Sequence, residues 1–308
     1  MRILVTGASG LLGINLALEA SREHTVFGLV NDHVLKADQF TVIQGDLAVP
    51  GTAERLIEHT QPDWVIHCAA LANLDACEAD PARAQQLNTE VPRKLAQLVA
   101  RGGARLLHVS TDAVFDGKRP AQSGGYHEDD SPNPIGVYSR TKLEGERAVL
   151  EANPMAIVAR VNLFGYSITG KRSLGEFFLY NLLDGNSVMG FTDVIFCPLL
   201  ANDLGLIFLK MLELDLHGLY HVVSSECLSK YEFGVRLARR FGLDETLIKP
   251  TSVNQSGLKA ARSPNLALSS DRLALAIGEP PPTVRAGIEK YFQLYQDGYP
   301  AKVRQLGV

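Results

Sequence analysis

The chain has 308 residues, 46% of them hydrophobic and 21% charged, with a formal net charge of −4. That composition suits a globular protein with a sizeable core, in one large domain or two unequal ones. The basic residues are scattered, which argues against nucleic acid or an anionic membrane surface as the main partner. No apolar run reaches the ~18 residues of a membrane span. Met1 and Arg2 run straight into an apolar strand and a glycine turn, leaving no room for a signal peptide. Cys68, Cys77, Cys197 and Cys227 show neither a CxxC pair nor metal-ligand spacing. They read as reduced thiols, so no metal is expected and the expected location is cytoplasmic.

Short β-rich runs open the chain at residues 3–5, 26–30, 42–43, 64–66, 106–109 and 157–161. Several are apolar throughout, the pattern of parallel strands buried on both faces. Helical patterns lie between them, as at 82–100, where Leu87, Val91, Leu95 and Leu98 share one side. The alternation predicts an α/β fold, a Rossmann-type doubly wound parallel sheet. Past Gly165 come a polar stretch at 167–172, an aromatic helix around Phe177, Phe178 and Tyr180, a helix at 204–214 and a strand at 219–223. Ser229-Lys230-Tyr231-Glu232 has capping-box spacing. Pro280-Pro281-Pro282 then leads into a helix with Val284, Ile288, Tyr291, Phe292 and Tyr295 on one side. The expected division is a dinucleotide-binding Rossmann domain over 1–165, with a return segment near 200–224, and a smaller, discontinuous C-terminal α/β substrate-binding domain over 166–308.

Gly7-Ala8-Ser9-Gly10-Leu11-Leu12-Gly13 follows the first strand and opens a helix near Leu11. Such glycines allow a tight turn, close backbone approach to a pyrophosphate and close helix–strand packing. The helix then aims free N–H groups and a positive dipole end at the phosphates. Asp46, before Leu47 at the end of the third strand, can bond an adenine amino group or serve as a helix N-cap. Ala69 and Ala70, ending the fourth strand, either leave space along the cofactor or pack the core. An acid at the tip of the second strand would bind the ribose diol of NAD. The tip reads Leu29-Val30-Asn31-Asp32. With Asn31 at the acid's place a 2′-phosphate is not repelled, and NADP(H) is favoured over NAD(H).

Tyr138 and Lys142 stand four residues apart at the start of a helix, which puts phenol and ammonium on one face. The nearby cation, together with an oxidised nicotinamide ring, should lower the tyrosine pKa from about 10 and make the phenol a general acid/base. Lys142 can also hold the nicotinamide ribose. The fifth strand ends in Ser110-Thr111-Asp112, and the Thr111 hydroxyl can polarise the oxygen that Tyr138 protonates.

Several segments together resemble the extended short-chain dehydrogenase/reductase superfamily, and most of all its dTDP-4-dehydrorhamnose reductase family. They are residues 3–13, His67-Cys68-Ala69-Ala70, the stretch 109–117 with its Val-Phe-Asp-Gly, and 138–146 with its Thr-Lys-Leu-Glu-Gly-Glu. Residues 262–268 and Pro281-Pro282 also match. The resemblance implies reduction of a 4-keto group on a nucleotide-linked 6-deoxysugar by NAD(P)H, with Tyr138 as proton donor, Thr111 assisting and Lys142 on the cofactor. It also implies substrate contacts at Thr111, Asp112 and Ala113, and a possible homodimer. The related dehydratases carry an Asp-Glu pair after the threonine; here Asp112-Ala113 follows it, which argues against dehydration.

The chain departs from the family at Ala113, where an aromatic is usual, and at Ser139, where glycine is usual. It also departs in a loop expanded around residues 123–125, and in the absence of a tryptophan after the sixth strand. These changes concern the sugar side and leave the cofactor chemistry alone. The same sequences resemble the NADP-binding β-subunit of methionine adenosyltransferase, where the fold serves binding and assembly, and an epimerase is a further alternative. Arg160, Lys171, Arg172 and Arg262 can face a diphosphate, with solvated surface charge the favoured reading of Lys171 and Arg172. Asn162 and Phe177 either line the substrate cleft or pack.

Overall fold

The computed structural model describes residues 1–119, 124–255 and 263–307. The first half runs β1 (Arg2–Thr6), α1 (Leu11–Ala20), β2 (Thr25–Val30), β3 (Thr41–Gln44), α2 (Thr52–Thr60) and β4 (Trp64–His67). It continues through α3 (Leu74–Ala79), α4 (Pro81–Gln85), α5 (Val91–Gly102), β5 (Arg105–Thr111), α6 (Val137–Ala152) and β6 (Ile157–Val161). Next come β7 (Leu163–Phe164), α7 (Leu174–Leu183), β8 (Val188–Phe191), β9 (Ile195–Phe196), β10 (Leu199–Leu200), α8 (Ala201–Glu213) and β11 (Gly218–Val222). The chain ends with β12 (Leu228–Ser229), α9 (Lys230–Phe241), β13 (Ile248–Thr251), α10 (Asp271–Ile277), α11 (Val284–Gln296) and α12 (Tyr299–Gln305).

Seven strands form one parallel sheet in the order β11-β6-β5-β4-β1-β2-β3. Successive side chains of β1 go to opposite faces, as the pleat requires. Ile3 and Val5 join the core with Leu16, Leu204 and Phe208 of α1 and α8. Leu4 joins Ala96, Val99 and Val149 of α5 and α6 on the other face. Both faces are covered, which explains the all-apolar strand runs. The strand order reverses between β1 and β4, so the carboxyl ends of those strands open onto the crevice where open α/β sheets bind ligands.

A separate cluster of Phe164, Tyr166, Phe178, Phe196, Phe233 and Tyr291 is gathered by α7, α9 and α11. Tyr166 and Tyr291 stack with centroids 4.0 Å apart. Short pairs β7–β10, β8–β13 and β9–β12 frame it. Ser229 caps α9 as its spacing predicts, its Oγ accepting from Glu232 N while Glu232 accepts from Ser229 N. No helix among the described residues is long and apolar enough to cross a membrane.

The expectation of four reduced thiols is corrected by the fold. Cys197 and Cys227 form a disulfide, with Cα atoms 4.2 Å apart; Cys68 and Cys77 are free. β9 and β12 pair antiparallel with Leu228 opposite Phe196, which brings the flanking residues 197 and 227 face to face.

Candidate active site

The glycine turn comes straight off β1. Gly7 is left-handed (φ +69°), and a Cβ there would lie 2.8 Å from Ala69 N. A Cβ on Gly13 would lie 2.2 Å from the Gly7 carbonyl oxygen, so α1 starts hard against the turn. Gly13→Ala is therefore expected to push α1 off the turn, at a cost of about 1–3 kcal/mol and with loss of nucleotide affinity. A melting curve and an NADPH titration check this, and unchanged values for both would contradict the packing argument. No side chain caps α1 at Gly10, so the helix end faces the groove with its backbone donors. Leu12 turns into the core, and neither Leu11 nor Leu12 stands in the groove wall.

A groove of about 380 Å³ runs from this turn across the ends of β2, β3 and β4. Gly7, Ser9, Gly10, Asn31, Asp46 and Leu47 line it, with Ala69 and Ala70 on the β4 side. The alanine pair thus borders open space. Asp46 is not a helix cap, since Gly51 holds the N-cap of α2. Its Oδ1 accepts from Ala48 N at 2.8 Å and its Oδ2 from Arg83 at 3.3 Å. Arg83 itself lines the groove, which the sequence reading missed. Arg172 also lines it, so solvated surface charge is too weak a description of that residue.

A second cavity of about 440 Å³ adjoins Tyr138, with Ala113, Ser139, Asn162, Phe196 and Lys230 in its wall. Thr111 and Asp112 are buried at the end of β5. Thr111 Oγ1 donates to Asp112 Oδ1 at 3.1 Å and hydrogen-bonds the Tyr138 phenol, while Asn162 Nδ2 donates to Asp112 Oδ2 at 2.5 Å. Burial raises the Asp112 pKa against these bonds. Asn162 is thus brought to the cavity. Phe177 is not: it is 43% exposed on α7 and packs edge-on against Phe178. Arg262 lies outside the described residues.

Lys142 is 3% exposed, and its Nζ donates to the Val109 carbonyl at 2.7 Å. Burial lowers its pKa to about 8, while Glu146, one turn further along α6, pulls upward. The expected lowering of the tyrosine is reversed. Burial pushes the Tyr138 phenol up to about 12, the hydrogen bond with Thr111 opposes this, and Asp112 adds to the rise. In this geometry the ammonium is committed to a carbonyl, and desolvation dominates the phenol.

Arg160 faces no diphosphate. It is 2% exposed beneath the site, bound to Glu146 through Nη2–Oε2 at 2.7 Å and Nε–Oε1 at 3.0 Å. Glu78 on α3 was also missed: its Oε1 accepts from Val137 N at 2.7 Å, a carboxylate at the N-terminus of the tyrosine helix. His67 and His108 stack beneath Lys142 with centroids 5.3 Å apart. Burial holds both imidazoles neutral, lowering His67 to about 3 and His108 well below its ordinary value.

A family model described as RmlD substrate binding domain matches residues 1–297. The chain belongs to that family. A dTDP-4-dehydrorhamnose reductase of Mycobacterium tuberculosis is 35% identical over 89% of this chain and 87% of its own length. Methionine adenosyltransferase 2 subunit beta of Bos taurus is 30% identical over 94% of this chain and 86% of its own. Among solved structures, the dTDP-4-dehydrorhamnose reductase of Bacillus anthracis in complex with NADP superposes with a TM-score of 0.80. It is 25% identical, covering 95% of this chain and 98% of that one. The chain is thus similar to proteins of both kinds that its sequence resembles.

Proposed function

We propose that the protein is an NAD(P)H-dependent reductase of a 4-keto group on a nucleotide-linked 6-deoxysugar, the substrate class of a dTDP-4-dehydrorhamnose reductase such as its Mycobacterium relative. The observation that carries this reading is the meeting of Tyr138 and Asn162 in one cavity wall, with Thr111 buried against the phenol, Lys142 one turn along the same helix and the glycine-turn groove alongside. The uncapped α1, the close-packed glycines and the small Ala69-Ala70 border suit a dinucleotide. Asn31 at the tip of β2 favours NADP(H) over NAD(H). When bound, the reduced nicotinamide supplies the hydride.

The chain's own residues supply the rest. A phenol at about 12 is protonated throughout the neutral range, so Tyr138 is a proton donor ready for carbonyl reduction. Thr111 holds that phenol and orients the carbonyl oxygen. Lys142, fixed by the Val109 carbonyl, keeps two further N–H donors with which to hold the nicotinamide ribose. Ala113 and Asn162 border the sugar, joined by Phe196 and Lys230, and Asp112 orients the Asn162 amide from behind. Residues 1–165, with a return near 200–224, form the dinucleotide-binding part in this reading, and 166–308 the substrate part. A homodimer, as the family resemblance implies, completes it.

The test is oxidation of NADPH, then NADH, by the purified protein with dTDP-4-keto-6-deoxyglucose, followed by absorbance of the reduced nicotinamide. The rate is expected to fall as pH rises through about 8, because Lys142 loses its proton there. A rate that stays flat to pH 10 contradicts that role. The bovine relative motivates a second reading, an NADP-binding regulatory subunit. NADPH binding without turnover of any keto sugar would favour it. An epimerase would instead keep its cofactor tightly bound with no net oxidation.

A further inference from the structure

We propose that Arg172 is a strap residue that reaches across the groove and closes on phosphate oxygens of the bound dinucleotide. The proposal rests on the cofactor reading above and deepens it, since Arg172 lies far from the glycine turn in sequence. Its guanidinium Nη1 donates to the Ser9 carbonyl at 3.3 Å, and both residues line the same groove. Arg172 therefore stands over the turn where α1 presents its uncapped N-terminus.

The strap is held from behind. Glu176 on α7 is 1% exposed, and its carboxylate gathers the segment between β7 and α7. Oε1 accepts from Ser167 N at 2.7 Å, while Oε2 accepts from Ser167 Oγ at 2.8 Å, Arg172 N at 3.0 Å and Ser173 N at 3.3 Å. Ser173 Oγ donates to the Gly165 carbonyl at 2.6 Å, anchoring the far end. The backbone of Arg172 is thus fixed while its side chain is exposed at the groove. A guanidinium has five donors in a planar fork. A phosphate oxygen makes a shorter, charge-assisted bond than a backbone carbonyl does. The Ser9 carbonyl holds the fork beside the groove, and an arriving phosphate is the stronger acceptor.

Two phosphates share this chemistry, the cofactor's diphosphate and an adenosine 2′-phosphate. NADPH and NADH titrations of the wild type, Arg172→Ala and Arg172→Lys, read by nicotinamide fluorescence, separate them. Arg172→Ala is expected to weaken NADPH by roughly 10–100-fold, with an unchanged melting temperature and partial recovery in Arg172→Lys. An equal loss for NADH assigns the strap to the diphosphate, and a loss confined to NADPH assigns it to the 2′-phosphate. Wild-type affinity for both cofactors in Arg172→Ala overturns the proposal. A wild type that binds neither removes the cofactor reading itself and the strap with it, an outcome distinct from the others.

Discussion

Tyr138→Phe is expected to lower the rate of keto-sugar reduction by roughly 10²–10⁴-fold, the usual contribution of a positioned proton donor, while NADPH binding stays within about twofold of wild type. The substitution removes one oxygen from the cavity wall and leaves the ring in place on α6. Thr111 keeps its bond to Asp112, and Asp112 its bond to Asn162, so the wall survives. What is lost is a phenol whose proton is retained up to about pH 12. Steady-state kcat beside a cofactor titration reads both halves of the expectation. Turnover within threefold of wild type would sink Tyr138 as the donor.

Glu146→Ala is expected to cost about 3–5 kcal/mol of stability, the toll of leaving a buried charge without its partner. Arg160 loses its bidentate acceptor, and Ser110 Oγ loses a 2.5 Å bond to the same carboxylate. The Phe115 ring, 5.1 Å from the guanidinium carbon, offers only a weak substitute. A drop in Tm of roughly 5–15 °C should follow. A double replacement of Glu146 and Arg160 by Met should recover much of the loss, since burying neither charge removes both desolvation costs. Glu146 also pulls the Lys142 pKa upward. Any activity left in the single variant should therefore decline at a lower pH than in wild type. A melting temperature within 1 °C of wild type would refute the stability argument.

The sheet and its glycine turn were legible because their signals are local. Apolar runs mark strands buried on both faces, and the glycine spacing at 7–13 together with the Tyr138–Lys142 spacing are short-range patterns. The unread features depend on segments distant in the chain. The Cys197–Cys227 disulfide follows from the β9–β12 register, which no spacing announces. Arg83, Glu78 and Lys230 reach the two cavities from helices whose placement only the tertiary fold decides. Arg160 looked like a ligand cation because sequence cannot distinguish a cation on a strand's buried face from one at its mouth; Glu146 lies on the neighbouring helix. The direction of the tyrosine shift was misjudged for a similar reason. Helical spacing brings Lys142 near, but the Val109 carbonyl claims its ammonium. Phe177 fell one residue from Phe178, and on a helix that step turns a side chain from the core to solvent.

The strand order also sets the sequence of events while the chain is being made. β1 to β6 can assemble as soon as residue 161 has emerged, but β6 waits for β11, and the α1 face waits for α8. At ordinary rates of synthesis that delay is on the order of several seconds. Throughout it, the nascent sheet carries an open edge at β6 and an apolar face without its second helix. These are the features through which unfinished chains associate with one another. A ribosome-bound chain stopped between residues 161 and 200 is thus the form of this protein most in need of a chaperone.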